Sequence, residues 1–173
     1  MNTKTILLSA ITALTLSGAS AMVAAHGVGH GPTKSRLEGA WRVTVTPYVC
    51  ATGELLPAAA TPTYMTFGAR GTLAETTSHT SFQPGQRSTA HGFWERTGPG
   101  TYRAVFEAFI QFTSVVTPPA LPRYTRGKQR VDHGIELVDK DHWKSVATVS
   151  FLDTAGTMVP PSGCAVAEAV RMD

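Results

Sequence analysis

The chain has 173 residues, 42% of them hydrophobic, which suits a single domain with a buried core. Its 15 basic and 12 acidic residues give a formal net charge of +3 and are mostly scattered. Basic residues concentrate only at positions 123–130, which we interpret as a solvated loop and strand edge. The composition therefore argues against a nucleic-acid-binding protein.

Residues 1–25 have the pattern of a secretory signal peptide. Lys4 supplies the positive charge, an apolar stretch follows, and small residues favour cleavage after Ala21 or Ala25. An uncleaved membrane anchor is the alternative, but the apolar stretch is shorter than the ~20 residues that a membrane-spanning helix needs. We therefore expect an exported protein, periplasmic or extracellular, with no membrane anchor after processing.

Residues 26–36 are rich in glycine and histidine, which predicts a flexible linker before a domain at 37–173. His26 and His30 are transition-metal ligands by residue type. Two histidines are too few for a tight site, so we expect no bound metal and no cofactor.

From residue 37 onward, the chain consists of short runs that alternate between apolar and polar residues, separated by turn residues. This pattern predicts an antiparallel β-meander, since no helical period is present in the domain. The predicted strands are Gly39–Val49, Thr61–Phe67, Thr72–Thr80, Ser88–Arg96, Thr101–Thr113, Arg126–Val138, Trp143–Leu152 and Cys164–Met172.

The two cysteines are placed at the ends of the first and last predicted strands. An even count in an exported chain favours a disulfide between Cys50 and Cys164, with two free thiols as the alternative. If these residues lie opposite each other in an antiparallel pair, Val43 faces Arg171. A meander whose first and last strands pair has no open edge. The predicted fold is therefore all-β, a closed eight-stranded antiparallel up-and-down barrel.

Gly39-Ala40-Trp41 opens the first strand, and Arg171 lies near the end of the last one. This combination resembles the lipocalin and wider calycin pattern, in which a basic residue of the closing strand packs across the tryptophan of a G-x-W motif. The resemblance implies structural roles for Trp41 and Arg171. The later lipocalin motif and the C-terminal helix are not recognisable, which favours a calycin-like barrel over a lipocalin.

The interior of such a barrel is either a filled core or a cavity for one small ligand. If Trp41 points inward, alternation places Ala165, Ala167 and Ala169 on the inner face, where their small size leaves room. An apolar and aromatic lining with few polar groups then predicts a small apolar ligand. The predicted ligand-binding residues are Tyr102, Phe106, Ile110, His133, Trp143 and Ala167.

Glu75, His91 and His133 are the candidates for a general acid or base. The orientation of His91 is left open, because either Phe93 or Trp94 can face inward. The chain has no G-x-S-x-G, no H-E-x-x-H and no glycine-rich phosphate loop. We therefore predict a protein that binds a small apolar molecule. The alternative is a barrel enzyme of the cyclase or isomerase type, and the sequence sets no oligomeric state.

Overall fold

The computed structural model describes residues 36–111 and 126–173. The predicted signal peptide, its cleavage positions and both linker histidines lie outside the described residues. The strands are β1 (Gly39–Tyr48), β2 (Thr61–Phe67), β3 (Thr72–Thr77), β4 (Ala90–Gly98), β5 (Thr101–Gln111), β6 (Arg126–Leu137), β7 (His142–Leu152) and β8 (Met158–Arg171). In these two ranges, no helix has the length and apolar character needed to cross a bilayer.

Each strand pairs antiparallel with the next one in the chain, and β8 pairs with β1 to close the ring. This confirms the predicted closed eight-stranded up-and-down barrel, whose strand order is consistent with a calycin-like architecture. Local sequence explains the strands, because buried and exposed residues alternate at every position of β2. Closure gives each of the eight described strands a hydrogen-bonded neighbour on both sides.

Several predicted strand bounds are wrong. β8 begins at Met158, six residues before the predicted start, and it includes Pro160 and Pro161. Proline is rare in strands because its backbone nitrogen has no hydrogen to donate. The two prolines therefore made the first part of β8 unrecognisable as a strand from the sequence pattern. Met158 and Val159 nevertheless pair with Leu152 and Phe151 of β7. In the turn between these strands, the carboxylate of Asp153 accepts hydrogen bonds from the backbone N–H groups of Ala155 and Thr157.

The disulfide between Cys50 and Cys164 is present, with a Cα–Cα distance of 5.4 Å, as the sequence predicted. The predicted strand register is wrong by two residues, since Tyr48 lies opposite Cys164 and Val43 opposite Ala169. Cys50 lies in the turn that follows β1 and reaches back diagonally to β8. An error of two residues leaves every side chain on its predicted face of the sheet.

One end of the barrel, which we call the closed end, is filled by aromatic side chains. Trp143 contacts the rings of Trp41 and Phe67 in edge-to-face geometry, with centroids 6.1 and 6.2 Å apart. Trp94 contacts Phe67 and Tyr102 in the same way. All five rings are buried, and such pairs add roughly 0.5–1.5 kcal/mol each to the stability that burial provides.

Arg171 covers the outer side of this aromatic cluster. Its guanidinium carbon lies 4.1 Å from the centre of the Trp41 ring, the cation–π contact that the sequence resemblance implies. The guanidinium also donates to the backbone carbonyls of Glu38 at 2.8 Å and Lys140 at 2.9 Å. Gly39 makes room for it, because a Cβ at this position would lie 2.7 Å from Nη1 of Arg171.

Candidate functional site

The opposite end of the barrel, which we call the mouth, contains a cavity of about 380 Å³. It lies where β1 and β5 end and where the loop between β3 and β4, residues 78–89, contacts the barrel. This volume falls near the lower end of the range for small-molecule sites, about 300–1,000 Å³. The apolar part of its wall includes Met65, Phe82, Phe106, Val131, Val149 and Phe151. We call this space the mouth cavity.

Two neighbouring alanines leave the space unfilled. Ala147 of β7 lies opposite Ala165 of β8, and both are buried side chains that line the cavity. The other two predicted inward alanines do not line it. Ala169 lies opposite Trp143, whose large ring fills the volume beside it. Ala167 lies one inward-facing position closer to the mouth, between Ala169 and Ala165. Among the described residues, space beside small side chains therefore lies at the mouth, whereas Trp143 fills it at the closed end.

A buried ion pair forms the polar part of the mouth cavity. Nη2 of Arg87 donates to Oε2 of Glu75 at 2.8 Å, and the two side chains are only 5% and 4% exposed. Nε of Arg87 donates to Oε1 of Gln129 at 2.7 Å. Arg87 comes from the 78–89 loop, which is held on the barrel by hydrogen bonds such as Ser88 N–H to Phe109 carbonyl at 3.0 Å.

Burial and the neighbouring charge of Arg87 shift the pKa of Glu75 in opposite directions. Removal from water raises the pKa of its carboxyl, while the Arg87 guanidinium lowers it, and the net direction is upward. The hydrogen-bonded pair nevertheless keeps opposite charges in contact inside the barrel, which is how buried ions are normally tolerated.

His133 is the second polar group of the cavity. Its Nδ1 lies 2.9 Å from the hydroxyl oxygen of Ser145, and its ring stacks on Phe106 with centroids 5.6 Å apart. Burial lowers the pKa of His133 to about 4, so the imidazole is neutral at physiological pH. Burial, with a contribution from Arg87, also lowers the pKa of His79 at the edge of the cavity.

The structure brings together only some of the residues that the sequence singled out. Glu75, Phe106 and His133 line the mouth cavity. Tyr102 and Trp143 lie instead in the aromatic cluster of the closed end, and Ala167 and Ile110 are buried outside the lining, the latter against Phe151. Tyr102 and Trp143 face the interior of the barrel, as alternation along their strands predicts. They do not reach the cavity, because they lie at the other end of the barrel axis.

His91 lies on the outer wall and is exposed, so it does not reach the mouth cavity. Phe93 is 48% exposed on the same face, whereas Trp94 is buried inside the barrel. Position 92 requires glycine, because a Cβ there would lie 1.9 Å from the carbonyl oxygen of Val105 on β5. The absence of a side chain at Gly92 therefore allows β4 and β5 to approach each other closely.

Sequence reasoning missed Arg87 and Gln129. The alternation of β6 places Gln129 on the same face as Val131 and His133, so this signal was available. Arg87 gave no local signal, because it belongs to a loop whose path over the barrel depends on tertiary contacts. Ser145 shares the inward face of β7 with Trp143 and Ala147, but its contact with His133 depends on the register between β6 and β7.

No family model matches the chain, and no curated protein matches it. Within residues 36–111 and 126–173, no three histidine, cysteine, aspartate or glutamate side chains come together as metal ligands. Two grooves on the outer wall are lined largely by outward-facing side chains of β1, β7 and β8, such as Lys144 and Glu168. The mouth cavity is distinguished from these grooves by its buried polar groups within an apolar wall.

Proposed function

We propose that the protein binds a small, largely apolar molecule in the mouth cavity. The observation that carries this proposal is the combination of empty volume beside Ala147 and Ala165 with a few buried polar groups. Small-molecule sites commonly have this composition, with apolar walls providing affinity and sparse polar groups fixing orientation. An empty apolar cavity also costs stability, so a bound molecule stabilises the barrel by filling it.

Occupation of the cavity is tested by replacing one of its alanines with a large side chain. Ala147→Phe places a ring inside the mouth cavity, whereas Val146→Phe on the same strand adds the same ring at a position that is 58% exposed on the outer wall. N-phenylnaphthylamine, a neutral dye that fluoresces in apolar surroundings, is the probe. We expect Ala147→Phe to weaken dye binding at least tenfold and Val146→Phe to leave it unchanged.

Both variants are first checked by circular dichroism, so that loss of binding is not confused with loss of the fold. Equal dye affinity in the original protein and in Ala147→Phe would place the binding site elsewhere. A failure of the original protein to bind the dye, with the fold intact, would contradict the proposal.

An enzyme of the cyclase or isomerase type is the second candidate, because Glu75 and His133 line the same cavity. General acid–base catalysis is most effective when the pKa of the group lies near the working pH. The pKa of about 4 makes His133 a weak base, and the Arg87 ion pair already occupies one oxygen of Glu75. These features favour binding over turnover. Conversion of a bound molecule that is lost in Glu75→Gln or His133→Gln, with binding retained, would establish the enzyme.

We also propose that the protein works outside the cytoplasm. The Cys50–Cys164 disulfide supports this location, because such bonds persist mainly in oxidising compartments, and the predicted signal peptide points the same way. Fractionation of producing cells and N-terminal sequencing test it. A mature chain that begins at Met22 or His26 is expected, and a cytoplasmic chain that still begins at Met1 would refute export.

A further inference from the structure

We infer that the mouth cavity selects an uncharged amphipathic molecule, with an apolar tail and a hydroxyl or carbonyl head, over a carboxylate or an amine of the same shape. The inference rests on the proposed binding function and specifies the chemical class of the ligand. Its basis is the charge balance and the hydrogen-bonding capacity of the groups that line the cavity.

The described titratable groups of the cavity wall have no net charge at neutral pH. Glu75 and Arg87 cancel each other through a contact of 2.8 Å. His133 and His79 both have a lowered pKa and are therefore neutral. A ligand that enters the cavity accordingly finds no unpaired charge to neutralise its own.

A charged head group would lose its hydration without gaining a counter-ion. Transfer of an isolated carboxylate or ammonium from water into a protein interior is far more costly than transfer of a neutral polar group. Competition for Arg87 does not remove this cost, because a ligand carboxylate that displaced Glu75 would leave Glu75 buried and unpaired. The neutral state of the cavity therefore disfavours both signs of charge.

The same groups can satisfy a neutral head. Arg87 uses Nε, Nη2 and Nη1 once each, the last toward the carbonyl of Ser88 at 3.4 Å, and a guanidinium has five N–H donors. Oε1 of Glu75 and Nε2 of His133 have no partner among the described residues. The cavity wall thus offers unused donors on Arg87, an acceptor on Glu75 and a ring nitrogen on His133, and a hydroxyl, which both donates and accepts, matches any of them.

The tail is accommodated by the apolar wall. Val131 lies on β6 between Gln129 and His133 and opposite Val149 of β7, and Phe151 lies opposite Gln129. Phe82 of the 78–89 loop packs against the cluster of Ile110 and Phe151. An apolar wall that lies between and beside these polar groups suits a molecule with an apolar tail and a polar head. The apolar wall favours such a molecule over a uniformly polar ligand such as a sugar.

The test compares three probes with the same tail: decanol, decanoate and decylamine, each displacing N-phenylnaphthylamine at pH 7.5. At this pH, decanoate is ionised and decylamine is protonated, because ordinary carboxyl and amine pKa values are about 4 and about 10. We expect decanol to bind at least tenfold more tightly than either charged probe.

Charge variants make the test specific for the cavity. Glu75→Gln leaves Arg87 without its counter-ion, so decanoate should bind at least tenfold more tightly than it does to the original protein. Glu107→Gln is the matched control, since it removes one negative charge from the outer wall, where Glu107 pairs with Lys128 and Arg130. The control should keep the original order of the three probes.

Glu75→Gln carries a buried unpaired guanidinium and is checked for folding by circular dichroism. If it does not fold, the double variant Glu75→Gln with Arg87→Gln replaces it. That variant keeps the cavity neutral, so decanol should remain the preferred probe.

The outcomes separate this inference from the proposed function. Equal affinity for the three probes, or tighter binding of decanoate to the original protein, would overturn the inference and leave binding established. A folded Glu75→Gln with no gain in decanoate affinity would overturn it as well. Failure of the dye and of all three probes to bind would overturn the proposed function, and the inference with it.

Discussion

Gly39 and Arg171 depend on each other at the closed end. Gly39 has a φ of +133°, which side chains rarely adopt, and a Cβ there would collide with Nη1 of Arg171. We expect Gly39→Ala to lower the free energy of unfolding by about 1–3 kcal/mol, measured by urea denaturation. In an Arg171→Ala background the loss should be smaller, because the collision is absent.

Gly100 is the matched control for this prediction. It also has a positive φ, of 76°, but nothing lies within 4 Å of an added Cβ, so only backbone strain is introduced. Equal losses for Gly39→Ala with and without Arg171 would mean that strain alone explains the glycine, and that the guanidinium does not require it.

His133 makes the stability of the barrel depend on pH. Its pKa is about 4 in the folded state, compared with an ordinary value of 6.5. Between these values, the unfolded chain binds a proton that the folded barrel excludes. The free energy of unfolding therefore falls as the pH decreases through this window, by roughly 3 kcal/mol in total.

We expect His133→Gln to remove this loss, measured as the difference in unfolding free energy between variant and original protein from about pH 7 to about pH 4. The raised pKa of Glu75 changes the unfolding free energy with the opposite sign, since folding favours the protonated carboxyl. Glu75 is present in both proteins, so its effect largely cancels when the two unfolding free energies are subtracted. His91→Gln, on the exposed outer wall, serves as the control and should keep the original pH dependence. A His133→Gln variant with the same pH dependence as the original protein would show that His133 is accessible to protons in the fold.

Among the elements, the disulfide fixes the contact between the first and last strands. The bridge joins residues 114 positions apart, and the chain-entropy account assigns about 4–5 kcal/mol to a loop of this length. We expect Cys50→Ala with Cys164→Ala to lower the free energy of unfolding by this amount or somewhat less. The barrel should still close, because β1 and β8 remain paired through eight residue pairs.

Circular dichroism and urea denaturation of the double variant, beside the oxidised and reduced original protein, measure this effect. A loss below about 1 kcal/mol would mean that the unfolded chain is constrained in some other way. Loss of the β-sheet signal altogether would mean that strand pairing alone cannot close the barrel.

The sequence predicted most elements because alternation and turn residues are local signals. Thr61–Phe67 matches β2 at both ends, and the paired cysteines correctly indicated closure. The start of β8 was missed because two prolines interrupt the strand pattern. The strand register was missed because a disulfide restricts two residues to a distance, here 5.4 Å, and does not require them to lie directly opposite each other.

At the scale of the whole molecule, the barrel is filled at one end and hollow at the other. We expect Ala169→Phe to overpack the aromatic cluster beside Trp143 and to cost about 1–3 kcal/mol. The same substitution at Ala147 has free volume to occupy and should cost less, or even stabilise. Thermal melting of both variants measures the contrast, and equal destabilisation would mean that the mouth cavity cannot hold a ring.

Which end is hollow could not be read from the sequence. Inward-facing alanines occur at positions 165, 167 and 169 of β8, and whether each one leaves free space depends on the side chain that lies beside it. Trp41 and Trp143 fill the closed end, while Ala147 faces Ala165 at the mouth. The charge balance of the cavity was also hidden, because Arg87 reaches Glu75 from a loop rather than from a neighbouring strand position.

The position of the disulfide has a consequence for proteolysis. All seven connections between consecutive strands contain residues that lie between Cys50 and Cys164 in the chain. The backbone between these two residues and the bridge together form a covalent ring. A single peptide bond cut within that ring opens it without releasing a fragment, so a nicked barrel would migrate as one piece until a reductant separates it into two.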